Sequence, residues 1–166
     1  MSFAYCSADL RAFLLHFQKL FIDIISKILG GKSRAAKDEK LLNDLKGNVK
    51  NLIAAMDKQN LNEYIKTVVG YSFDANKYFN DSEPWSVKKK DPERMKSILF
   101  TILEQIKNLS ILLNPIIPIA TGKVLTSMNL SIDDISIKSI INKNVLNHDK
   151  ELKNLEILFK KIENDN

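Results

Sequence analysis

An internal disulfide is closed to this chain, because Cys6 is its only cysteine. A reducing compartment is the simpler setting for such a sequence. Turn formers are also scarce. Five glycines and four prolines in 166 residues speak against a many-turned β architecture and favour helices. The two histidines, His16 and His148, lie on separate segments. They offer neither a metal constellation nor a nucleophile–base pair. His16 reads most simply as a helix-surface or core-edge histidine. A glycine-rich phosphate loop is missing too. The "GGK" at Gly30 follows a helical pattern and lacks the rest of that motif. The acidic pair Asp133-Asp134 sits where a helix is capped. The chain therefore shows no active site of its own.

Long hydrophobic runs are lacking as well. The most apolar stretch, "AFLLHFQKLFIDIISKIL", is interrupted by His16, Gln18, Lys19, Asp23 and Lys27, so it does not read as a membrane span. The charged start and small-residue cleavage site of a signal peptide are not seen either. These features lead us to expect a soluble cytoplasmic protein with no membrane partner.

What is present is enough for a core. The apolar fraction is 45%, the formal net charge +5 and the isoelectric point about 9.2. The length suits one domain, or one domain with a tail. The basic balance suggests an anionic partner without demanding one.

Apolar residues recur at three- and four-residue steps along most of the chain. Leu10, Phe13, Leu14, Phe17, Leu20, Phe21, Ile24, Ile25 and Ile28 form one such face, stopped by Gly30-Gly31. A second helix is expected from about Asp38 to Asp57, with Gly47 tolerated inside it at a cost of about 1 kcal/mol. A third should start at Asn60, with Glu63 closing a capping box, and run to about Asn80. In the fourth, Asp91 caps and Pro92 takes the first helical position; its apolar stripe extends from Met95 to Leu113. "NPIIP" then turns the chain into a fifth helix, Pro118 to Met128. Beyond Asn129 the pattern weakens, with short helices expected near Asp133 and His148. The expected fold class is all-α, an antiparallel bundle of four to five helices. Residues 1–130 should form the bundle, and residues 131–166 an extension packing on it.

One short stretch stands out against this background. "DSEPWSVKKKD" holds the only tryptophan, Trp85, between a proline and the run Lys88, Lys89 and Lys90. A tryptophan of this size is usually wanted in a core. The plain reading is a ring packed at the end of the bundle beside a solvated lysine run. The functional reading is a platform for nucleic acid. An exposed aromatic ring stacks on an unpaired base for about 1–3 kcal/mol, and lysines attract phosphates.

The ordered set "ANKY" (Ala75 to Tyr78), "PW" and "LNPIIP" resembles the C-terminal helical domain of class I aminoacyl-tRNA synthetases, specifically the methionyl-tRNA synthetase family. The resemblance is strong from about Asn60 to Leu130 and looser elsewhere. It implies an anticodon-binding bundle whose partner is methionine tRNA, with Trp85 stacked on an anticodon base. Asn76 then reads as a helix-end hydrogen bonder and Tyr78 as packing. The first helix departs from the family pattern. Its "QK" places Lys19 where an arginine is usual and Leu15 where an asparagine is usual; a one-residue slip would put His16 in the asparagine's place. Lysine keeps the charge but loses the planar fork.

The family's "HIGH"-like and "KMSKS"-like motifs, which handle ATP, do not occur here. The resemblance therefore implies no cofactor in this chain and no methionine activation by it alone. A separate synthetase catalytic domain is the implied second partner. The alternative readings are a helical protein-interaction subunit, or a degenerate fragment of a split or truncated synthetase.

Overall fold

The computed structural model describes residues 35–131 and 136–141, with Leu146 and Lys153. The segment around His16 and Lys19, and the helix expected near His148, lie outside the described residues. Six helical segments are seen among them: α1 (Ala36–Asp57), α2 (Leu61–Ser82), α3 (Pro84–Val87), α4 (Pro92–Leu113), α5 (Pro118–Ser127) and α6 (Ile137–Ile141). No strand occurs among the described residues. The fold is an all-α bundle, and the connections between its long helices are short.

The helix boundaries follow local chemistry. The Asn60 side chain accepts from the Glu63 amide at 3.4 Å, so the expected cap forms. The expected box does not close. The Asn60 amide donates to Ala55 O instead, and Glu63 takes a hydroxyl bond from Thr67. At the start of α4, Asp91 accepts from the Arg94 amide at 2.9 Å, and Pro92 occupies the first turn. Helix α2 runs two residues further than its apolar pattern suggested and ends at Ser82. Its C-cap, Glu83, adopts the left-handed conformation at φ 41° and ψ 57°. Asn76 thus sits inside the helix rather than at its end.

Helix α4 is the axis of the molecule. It packs against α1, α2, α3, α5 and α6. Every residue from Ser97 to Leu113 except Phe100 is buried. The expected stripe, Ile98, Leu99, Ile102, Leu103, Ile106 and Leu109, meets Leu45, Val49 and Leu52 of α1 and Tyr64, Val68 and Phe79 of α2 in one core cluster. Ile140 and Leu146 join the same cluster. Fully burying a side chain of this size contributes about 1.5–3 kcal/mol.

The polar face of α4 is buried as well. Thr101 bonds back to Ser97 O, and Lys107 donates to Ser139 O of α6. Glu104 accepts from Lys46 of α1 at 3.0 Å. The side-chain amides of Gln105 and Asn108 are buried with no hydrogen-bond partner among the described residues.

Candidate nucleic-acid interface

The bend between α2 and α4 forms because two helices end within ten residues of each other. The left-handed Glu83 stops α2, and Pro84 opens the single turn of α3. The amides of Ser86 and Val87 return to Glu83 O, and that of Lys88 to Pro84 O. Val87 packs against the core cluster and anchors the turn. The amides of Lys90 and Asp91 then bond to Val87 O and lead into α4.

Trp85 projects from this turn with 51% of its surface exposed. It is not free, however. Its ring lies 5.7 Å from that of Phe79, tilted by 59°, an arrangement that aromatic pairs prefer. Phe79 is buried in α2, so the indole is braced by a fixed ring while about half of its surface stays exposed. The ring thus packs on the bundle, as the plain reading of Trp85 expects, and half of it stays exposed. Lys88, Lys89 and Lys90 follow directly and are all exposed. Three cations beside an aromatic ledge can hold a strand whose base stacks and whose phosphates are neutralised.

Beneath the bend lies a cluster that sequence reasoning missed. Asp38, in the first turn of α1, is completely buried. Its carboxylate accepts both guanidinium nitrogens of Arg94, one of them at 2.7 Å. It also accepts the Tyr78 hydroxyl at 2.6 Å and the Ala35 amide at 2.9 Å. Burial would raise the Asp38 carboxyl. Hydrogen bonds from Arg94, Tyr78 and Ala35, with the arginine's charge, outweigh that and hold it below the usual carboxylate range. Burial, and then the bond to Asp38, push the Tyr78 hydroxyl well above the usual tyrosine range. Arg94 is held further toward its charged form by the Asp38 hydrogen bond. Tyr78 is therefore more than packing: it bonds a charged partner on another helix. The only sequence signals were an acid in the first turn of one helix and an arginine in the first turn of another. Neither says that the two meet.

Of the predicted site residues, Trp85, Lys88, Lys89 and Lys90 lie together on this one bend. Lys19 and His16 lie outside the described residues. No helix among the described residues is long and apolar enough to cross a membrane.

The model of a family described as the anticodon binding domain of methionyl tRNA ligase matches residues 28–166. The chain belongs to that family. Among curated relatives, a methionine–tRNA ligase of Rickettsia felis is 30% identical over 113 residues, covering 68% of this chain and 22% of the relative. One from Cytophaga hutchinsonii is 32% identical over 128 residues, covering 77% of this chain and 18% of the relative. The chain thus spans only about a fifth of the length of these relatives. The free-state methionyl-tRNA synthetase of Mycobacterium tuberculosis superposes with a TM-score of 0.79 over 92% of this chain and 31% of that one. At 18% identity, that likeness speaks to the fold. It agrees with the all-α bundle of this anticodon-binding domain. The bend that carries Trp85 falls inside the matched region of the family.

Proposed function

We propose that this anticodon-binding domain holds the anticodon of methionine tRNA, and so serves methionyl-tRNA aminoacylation during protein synthesis. The observation that carries the proposal is Trp85: half exposed, seated on Phe79 and followed by three exposed lysines. In this reading the exposed part of the indole stacks on an anticodon base, and Lys88, Lys89 and Lys90 meet the backbone phosphates. Lys19 and His16 of the first segment would add base contacts. Activating methionine with ATP would fall to a separate catalytic unit, a second partner beside the tRNA. Work on tRNA in translation also suits a cytoplasmic setting.

The test is binding of methionine tRNA, measured across a range of salt, to the native chain and to Trp85→Ala. Loss of one stacking contact of about 1–3 kcal/mol should weaken binding by about 5- to 150-fold at constant salt. Replacing the three lysines together by glutamine should flatten the dependence of log K on log salt by about 2 units, since each single-strand phosphate contact contributes about 0.7. A native chain that binds methionine tRNA no better than an unrelated basic helical protein would overturn the proposal.

A further inference from the structure

We infer that Asp38, with Arg94 and Tyr78, is a positioning clasp for Trp85. This rests on the anticodon reading above and adds residues to it that touch no RNA. The bend from Glu83 to Asp91 hangs between two helix ends. Tyr78 lies on α2, one turn before that helix stops. Arg94 lies in the first turn of α4, three residues after its cap. Both bond the same carboxylate, which belongs to a third helix, α1. A single buried acid therefore closes the base of the loop from both sides.

The geometry resists sliding. A guanidinium fork fixes direction as well as distance, because it offers two parallel donors to two oxygens. The remaining acceptor capacity of Asp38 is used by the Tyr78 hydroxyl and the Ala35 amide. The Asp91 side chain, which caps Arg94, ties the backbone at the loop's exit to the same corner. The loop's entry is held by Phe79, which follows Tyr78 directly and carries the indole. A shift of α4 relative to α2 would thus move Trp85 against its ledge. A contact read by stacking tolerates little such movement, and site residues hold their geometry only when the groups behind them are locked.

Trp85 is the only tryptophan, so its emission reports the loop alone. The experiment uses Tyr78→Phe, which removes one hydroxyl, and Arg94→Lys, which keeps the charge and loses the fork. Ile106→Val is the control: a core change on α4 remote from the bend, chosen to cost stability without touching the clasp. Urea unfolding and circular dichroism define conditions in which all four proteins are folded. Under those conditions the clasp variants should show a shifted Trp85 emission maximum and stronger quenching by acrylamide. They should also bind methionine tRNA about five-fold more weakly, a fraction of a full stacking contact.

The control should keep native emission and native affinity. Clasp variants that match the control in emission refute the clasp, whatever they do to stability. A changed emission with unchanged affinity refutes its role in binding. If the native chain itself does not bind tRNA, the anticodon reading fails, while the emission arm still decides whether the clasp sets the ring.

Discussion

Trp85 stands where it does because of what lies on either side of it. Phe79 supplies the ledge, Val87 the anchor and Glu83 the corner. The corner is the strained member. Glu83 sits at φ 41° and ψ 57°, in the left-handed region that costs a residue with a Cβ about 1 kcal/mol. Glycine is the usual occupant of such a helix end. We expect Glu83→Gly to raise stability by about 0.5–1 kcal/mol, read as a higher urea midpoint with an unchanged slope. A lowered midpoint would show that the glutamate side chain contributes more than its backbone costs.

This corner also marks what the sequence could and could not disclose. The tryptophan, the proline and the lysine run were visible in one short string. Their ledge and clasp were not, because Phe79 resembles any other inward residue of α2, and Asp38 and Arg94 are 56 positions apart.

At the scale of the elements, periodicity located α1, α2, α4 and α5 to within two residues. That follows from physics. A helix with one wet face must repeat its apolar residues at helical spacing, and proline or asparagine caps mark its ends. What periodicity does not disclose is the surroundings of α4. It packs against five other helices, and Thr101, Glu104, Gln105, Lys107 and Asn108 are buried. A stripe records where apolar residues point but not how many helices surround them.

The polar residues on α4 manage burial unequally. Glu104 and Lys107 hold partners on other helices, whereas the amides of Gln105 and Asn108 hold none among the described residues. A buried polar group without a partner costs about 1–3 kcal/mol. Gln105→Met keeps length and shape while removing both orphaned atoms. It should raise unfolding stability by about 1 kcal/mol, measured by denaturant titration. A loss of similar size would mean that the amide is satisfied by a group such as bound water.

For the whole molecule, the clasp makes stability depend on acid in a defined direction. The Asp38 carboxyl is depressed in the fold, because Arg94, Tyr78 and the Ala35 amide favour its charged form more than burial opposes it. The unfolded chain holds such a carboxyl near its ordinary value of about 3.9. Between the two, the unfolded state binds the extra proton. The contribution of Asp38 is therefore complete above about pH 4 and is lost as pH falls through the lower, folded value.

Other carboxylates also protonate in that window, so the test is a difference. Unfolding free energies are measured at pH 7 and at pH 3 for the native chain and for Asp38→Asn. The variant leaves Arg94 facing an amide in a buried corner, and removing one partner of such a pair costs about 3 kcal/mol at pH 7. The gap between the two proteins should then narrow at pH 3, because the native chain is losing there what the variant never had. Parallel losses in the two proteins would mean that Asp38 keeps its charge throughout or contributes none of its stability through it. In the second case the joint between α1, α2 and α4 would draw its stability from the other contacts between these helices, the apolar packing and the Lys46–Glu104 pair among them.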